Sequence, residues 1–230
     1  YAYAQLNSSI AKIGYRVSLG ATYINTSNDD THYHKLYFTP DALLTYNVKN
    51  GALRLHGKMS TITPNIASLS NNSTVTIPGL LYSGNPWLKS ALDKNISLTY
   101  SLNLPWLNMD LTADARKIDD DFSTYYQWQT IDGNRVIVGR DENCDYLLNY
   151  GFSGSLALRP FSNDLLSIEL ESGYRWQKEK SEIIGTHHHH YMPLAWTVDM
   201  RKGCWGAEYY QCIPHKMLSG SFINSAENTQ

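Results

Sequence analysis

Regular alternation of apolar and polar side chains is the feature that most limits what this sequence can fold into. From Ile96 to Leu104, one phase holds Ile, Leu, Tyr, Leu and Leu, and the other holds Ser, Thr, Ser and Asn. The same period continues from Leu107 to Arg116, where every charged residue falls on the polar phase. A period of two predicts half-buried β-strands and not helices. The chain is therefore predicted to be all-β.

The alternation predicts ten strands whose connections are in turn short and long. The strands are expected at about 1–10, 15–25, 37–48, 53–60, 95–104, 107–116, 150–159, 165–177, 192–201 and 204–213. Short connections include Asn50-Gly51, which is a hairpin signal, and Phe161–Asp164. The long connections cover 26–36, 61–94, 117–149 and 178–191. The third is expected to hold a hairpin of its own, Phe122–Ile131 with Val136–Gly139.

This sorting of connections is typical of bacterial outer-membrane barrels, whose short turns face the periplasm and whose long loops face outward. Nine to eleven tilted residues span a bilayer, and most of the predicted strands have that length. Tyr and Trp gather toward strand ends, as at membrane interfaces. They are Tyr15, Tyr23, Tyr37, Tyr46, Tyr100, Trp106, Tyr150, Tyr174, Trp176 and Trp205. We predict a portion of an antiparallel transmembrane β-barrel, forming one domain over residues 1–230.

Composition excludes other classes of protein. With 19 basic and 21 acidic side chains and no run of like charges, nucleic acid is not an expected partner. No stretch reaches 18 consecutive apolar residues, which excludes a transmembrane helix. The chain has no signal peptide at Tyr1, so either it stays inside the cell or its true start lies upstream.

Charged residues of the predicted strands lie on the polar phase, because a Lys or Arg facing the middle of the bilayer costs about 2–4 kcal/mol. They are Arg54, His56, Lys58, Asp110, Asp114, Arg116, Arg159, Glu169, Glu171, Arg175, Asp199 and Arg201. We expect them to pair with one another and to line the inner wall.

Motifs for chemistry are weak. The run His187–His190 suits metal chelation, and the alternative is a hydrophilic external loop. The sequence has no Gly-x-Ser-x-Gly elbow, no His-Glu-x-x-His and no P-loop. We therefore predict that the protein is not an enzyme, and no cofactor is expected.

The stretch Leu81–Lys89 before the strand at Asn95–Tyr100 resembles the outer-membrane barrel of TonB-dependent receptors. The resemblance is to the group with a carboxypeptidase-regulatory-like N-terminal domain. Its Gly-Asn-Pro-x-Leu-Lys motif is matched by Gly84, Asn85, Pro86, Leu88 and Lys89. The paired strands of residues 1–23, Tyr37–Pro40 with the strand that follows, and Leu53–Ser60 are also similar to that family. Thr63 stands where an Arg is usual, so any role of that Arg does not transfer.

The resemblance implies a receptor in the outer membrane of a Gram-negative bacterium, surrounded by lipid, that takes up a small nutrient. It implies a plug domain and the TonB system as partners, and a surface lipoprotein is a further candidate. Such barrels have about 22 strands, so this chain is expected to be part of a longer protein, without the plug and N-terminal domain. External-loop aromatics are expected to stack on the ligand: Trp87, Tyr125, Tyr126 and Trp128.

Two alternatives remain at this stage. A small passive barrel or porin would need only the ten strands and would conduct ions alone. A soluble β-sandwich binding module would need no detergent. The ligand could be a glycan, an iron chelate, a peptide or a vitamin.

Overall fold

The computed structural model describes residues 1–27, 31–70, 72–161, 165–219 and 222–226, and their regular elements are β-strands. The strands are β1 (Ala2–Ile10), β2 (Ile13–Ser27), β3 (His32–Phe38), β4 (Asp41–Val48), β5 (Gly51–Ile62), β6 (Ser73–Ile77), β7 (Leu80–Ser83), β8 (Ala91–Leu104), β9 (Leu107–Asp119), β10 (Phe122–Ile131), β11 (Asn134–Asn143), β12 (Tyr146–Leu158), β13 (Leu166–Ser181), β14 (Gly185–Tyr191), β15 (Leu194–Lys202), β16 (Trp205–Ile213), β17 (His215–Ser219) and β18 (Phe222–Ala226). Within these ranges, no helix is long and apolar enough to cross a membrane.

Ten strands form one antiparallel wall in the order β1-β2-β4-β5-β8-β9-β12-β13-β15-β16. Each wall strand pairs with the next wall strand along the chain, and β3 and β14 add to β2 and β13 beside this path. The all-β prediction and the ten predicted wall strands are therefore confirmed. The wall is an open sheet, with β1 and β16 at its two ends.

Strand register converts the alternation into two faces. Leu98 of β8 pairs with Leu55 of β5 and with Ala113 of β9, and Ala113 pairs with Phe152 of β12. These side chains form the apolar face, where Leu98 is 44% exposed and Phe152 is 55% exposed. A soluble monomer rarely exposes so continuous an apolar surface, which suits contact with lipid instead.

The opposite, polar face carries the predicted charges, several of which pair across neighbouring strands. Arg116 donates two hydrogen bonds to Asp93, each at 2.9 Å. Asp41 lies 3.2 Å from Arg16 and 3.4 Å from His56. Asp110 accepts a hydrogen bond from Ser101. These contacts give the polar side chains of neighbouring strands partners on this face.

Besides the segment 117–149, where a hairpin was predicted, the other three predicted long connections also contain strands. The segment 26–36 includes most of β3, and the expected strand 37–48 is split at Pro40 into the end of β3 and all of β4. The segment 178–191 continues β13 and adds β14 as a hairpin. The segment 61–94 holds β6 and β7. In the predicted short turn Phe161–Asp164, residues 162–164 lie outside the described residues.

Most of the aromatic residues expected at strand ends lie on the apolar face. Tyr150 and Trp176 stack with their ring centroids 5.5 Å apart, and Tyr174 lies 4.4 Å from Trp176. Tyr37 was expected at the membrane interface and is instead 4% exposed. Its hydroxyl donates to the backbone oxygen of Ser90 at 2.8 Å, so this ring fastens a loop to the wall.

Candidate functional site

The long segments 61–90 and 120–145 fold together above one end of the wall, and we call this part the roof. Its sheet has the order β10-β11-β7-β6. The hairpin β10–β11 turns at Asp132 and Gly133, whose φ angles of 49° and 79° suit a two-residue hairpin turn. This confirms the predicted hairpin and extends its second strand. β7 pairs with β11 in parallel, which joins the two long segments into one body.

Asn85 of the Gly-Asn-Pro segment has hydrogen-bond partners at both ends of its side-chain amide. Its side-chain nitrogen donates to the backbone oxygen of Asp141 at 3.0 Å and to Glu142 at 2.8 Å. Its side-chain oxygen accepts from Arg140 at 3.1 Å and from the backbone nitrogen of Trp87 at 3.0 Å. Because Asn85 is 3% exposed and both ends of its amide are bonded, it fixes this segment against β11.

The other motif residues complete the attachment. A Cβ at Gly84 would lie 2.1 Å from the backbone oxygen of Ser70, so only glycine fits there. Leu88 is 4% exposed and packs inside the roof. The backbone nitrogen of Lys89 donates to Asn143, and Asn143 donates back to the Lys89 oxygen. The motif therefore fastens the segment 61–90 to β11 within the roof.

Asp141 forms a second anchor inside the roof. It accepts hydrogen bonds from Ser68 at 2.7 Å, Tyr82 at 2.6 Å and Thr124 at 2.6 Å. Burial alone would raise the pKa of this carboxyl, but these three donors outweigh burial and lower the pKa. Asp141 is thus held in its ionised form, and it ties together three separate parts of the roof.

The aromatic residues predicted to contact a ligand divide into two groups. Trp87 and Trp128 are 66% and 60% exposed, and Tyr126 is 38% exposed. The guanidinium of Arg135 lies over the ring of Trp128, 4.4 Å from its centre, and this cation–π contact holds the ring in place. All three side chains are therefore exposed on the roof.

The burial of Tyr125 does not fit the prediction that this residue contacts a ligand. It is 2% exposed, and its hydroxyl donates to Glu179 of β13 at 2.9 Å. Neighbouring residues of a strand point to opposite faces, so Tyr125 faces the wall where Tyr126 does not. Tyr125 therefore anchors the roof, and no ligand reaches it in this conformation.

The histidine run lies in β14, where side chains alternate. His188 pairs in register with Lys178 of the apolar face, whereas His187 and His189 pair with Glu179 and Gln177 on the other face. The backbone oxygens of Ile184 and Lys216 lie 2.7 Å from the Nε2 atoms of His187 and His189. In the part of the chain that the structure describes, no group of three or more His, Cys, Asp or Glu residues could hold a metal ion.

Comparison with known proteins agrees with this architecture. The sequence profile of the outer membrane protein beta-barrel family matches residues 2–197. The chain belongs to that family. No curated protein matches it.

Two solved structures share the fold. One is the siderophore receptor PirA from Acinetobacter baumannii, with 17% sequence identity and a TM-score of 0.56 over 90% of this chain. The other is the copper transporter OprC, with 10% identity and a TM-score of 0.61 over 90% of this chain. The family member described here spans about a third of those proteins, because the matches cover 32% of each. Its place is the outer membrane of a Gram-negative bacterium, and the soluble sandwich is excluded.

Proposed function

We propose that this chain is part of the barrel of a TonB-dependent receptor that takes up a scarce small nutrient. The observation that carries the proposal is a ten-stranded wall with one lipid-facing face, one charged face and a folded roof at one end. The two solved structures that share this fold are a receptor and a transporter, which supports the same kind of role.

In this proposal the roof meets the nutrient first. Trp87 and Trp128 present exposed rings, and an aromatic ring stacks on flat or apolar parts of many small molecules. Asn85 joins the two segments of the roof, and Tyr125 holds the roof to the wall, so the rings keep a defined position. The charged face below provides the surroundings for a plug domain that the TonB system would move.

Energised uptake is tested by deleting the gene in the source bacterium. Accumulation of four radiolabelled probes is measured: a ferric siderophore, copper, cobalamin and an oligosaccharide. We expect accumulation of one probe to fall to the level of wild-type cells treated with a protonophore. Uptake that is insensitive to the protonophore, together with a steady ion conductance of the purified protein, would support the passive barrel.

The role of the roof is tested with the probe that the deletion identifies. Replacing both Trp87 and Trp128 by Ala is expected to raise the half-saturation concentration for uptake by about threefold to tenfold. Trp205→Ala is the matched control, since Trp205 is 81% exposed and lies at the opposite end of the wall. Equal effects of the two changes would show that the roof rings do not contact the nutrient.

A further inference from the structure

A row of lysines crosses the apolar face near the roof. Lys94 of β8 pairs in register with Lys117 of β9. Leu148 of β12 pairs with Lys117 on one side and with Lys178 of β13 on the other. Three cations therefore lie on one line of register on a face that is otherwise made mostly of aliphatic and aromatic side chains, and Lys94 and Lys117 are on adjacent strands. We call Lys94, Lys117 and Lys178 the lysine row.

The height of Lys94 and the adjacent Lys117 matches the edge of the membrane. Leu104, at the short-turn end of β8, lies ten positions after Lys94. At about 3.3 Å per residue and a tilt of about 40°, they rise about 25 Å, the thickness of the apolar band of outer-membrane barrels. The stacked rings of Tyr150 and Trp176 lie one step below the row, as expected of an interfacial belt. The ammonium groups of Lys94 and Lys117 therefore lie at about the level of the outer-leaflet headgroups.

The row carries a surplus of positive charge. Lys94 and Lys117 share one carboxylate, that of Asp119, each at 2.5 Å. Three lysines against one aspartate leave a local charge of +2. The ammonium groups of Lys117 and Lys178 lie 5.2 and 5.7 Å from the ring centre of Tyr146, which orients them without neutralising them. His188 of β14 faces the same side next to Lys178, and the neighbouring Lys180 binds Asp145 at 2.8 Å.

An apolar groove runs directly below Lys94 and Lys117. Its volume is about 450 Å³. Its lining includes the small residues Ala42 of β4, Gly57 of β5 and Ala115 of β9. Ile96 of β8, which lies between β5 and β9, and Leu148 of β12 line it as well. A Cβ added at Gly57 would meet nothing within 4 Å, so this position is open space. A hydrocarbon chain fits a groove of this shape and polarity.

We propose that the lysine row and the groove bind one phosphorylated glycolipid of the outer leaflet. Its phosphate would lie against the ammonium groups of Lys94 and Lys117, and one acyl chain would lie in the groove. The charge of the row, its height and the adjoining groove each fit one part of such a lipid. This inference needs only the outer-membrane location and is independent of which nutrient is taken up.

The experiment uses the full-length protein, purified from outer membranes in detergent and stripped of lipid. Binding of bis-phosphorylated lipid A and of dephosphorylated lipid A is measured by native mass spectrometry. We expect the phosphorylated lipid to bind more tightly, and each lysine removed to weaken it about fivefold. The double change Lys94→Gln with Lys117→Gln is therefore expected to weaken it about 25-fold, whereas dephosphorylated lipid is unaffected.

Two further variants separate charge from shape. Lys202→Gln is the matched control. Lys202 lies at the short-turn end of β15, on the opposite side of the membrane from the lysine row, and is expected to bind no outer-leaflet phosphate. Gly57→Leu fills the groove and is expected to weaken both lipids. Equal binding of the two lipids by the unaltered protein would overturn the proposal, even if a lysine variant failed to fold. An effect of Lys202→Gln equal to that of the double change would also overturn it.

Discussion

At the scale of single residues, the buried polar side chains hold the roof together, whereas its tryptophan rings are exposed. Asn85 and Asp141 are buried and use nearly all of their hydrogen-bonding capacity, whereas Trp87 projects outward from the same segment. Sequence reasoning found the Gly-Asn-Pro segment but not its role, because the partners of Asn85 come from β11, far along the chain. It also could not separate Tyr125 from Tyr126, since the pattern does not show which face of β10 meets the wall.

Replacing Asn85 by Ala is expected to destabilise the roof by about 2–3 kcal/mol, since buried polar groups of β11 lose their partner. The measurement is the rate at which proteinase K cuts residues 61–90 in the detergent-solubilised protein. The rate should rise in this variant, while the wall remains resistant. Trp87→Ala serves as the control and should leave the rate unchanged; equal rates for both variants would contradict the fastening role.

The anchor at Asp141 predicts a pH dependence. Its pKa is lowered in the folded state, so its contribution is complete above the unfolded pKa of about 4 and is lost as the pH falls through the folded value. Pepsin cleavage of the roof should therefore accelerate as the pH drops below about 4. Asp141→Asn should weaken the roof at neutral pH by about 1–3 kcal/mol and remove this acid step. A step that persists in Asp141→Asn would assign it to another group.

At the scale of elements, the wall strands and the roof hairpin β10–β11 could be predicted, whereas β6 and β7 could not. Each wall strand has a period of two because one face meets lipid and the other meets water, so the sequence itself carries the pattern. β6 and β7 are short, and β7 is held by parallel pairing with β11, which no local pattern encodes. The hairpin β10–β11 was predictable because Asp-Gly turn chemistry is local.

Gly151 permits an ion pair across three strands. It lies in β12 between Asp114 of β9 and Arg175 of β13, with which it pairs in register. Arg175 reaches over it and donates to Asp114 at 2.5 Å. A Cβ at Gly151 would lie 2.0 Å from the backbone oxygen of Tyr174 and 3.1 Å from Cδ of Arg175.

Gly151→Ala is therefore expected to displace Arg175, to shift the pairing of β12 with β13 and to destabilise the wall by about 1–3 kcal/mol. The measurement is the midpoint of urea unfolding of the protein in lipid vesicles. Gly57→Ala is the matched control, because its Cβ enters open space. Similar midpoints for the two variants would show that the strands adjust without loss.

At the scale of the whole molecule, the open wall determines what the 230-residue chain can do alone. β1 and β16 end the strand order, and in lipid an unpaired strand edge exposes backbone groups that no water can satisfy. We expect the isolated chain to aggregate in detergent and to show no heat-dependent shift on SDS gels. A stable, heat-modifiable monomer that conducts ions would contradict this and would favour the self-contained passive barrel.

The parallel pairing of β7 with β11 also affects the order in which the parts of the chain can fold. Each wall strand can pair with its predecessor as soon as it is delivered, because the partner is next in the chain. Leu80 pairs with Ile137, however, and β8, β9 and β10 lie between them in sequence. Contacts of such long separation form late. The segment 61–90 therefore cannot complete its sheet until the hairpin β10–β11 has been delivered, so the covering of the barrel is assembled later than the strands β8 and β9 beneath it.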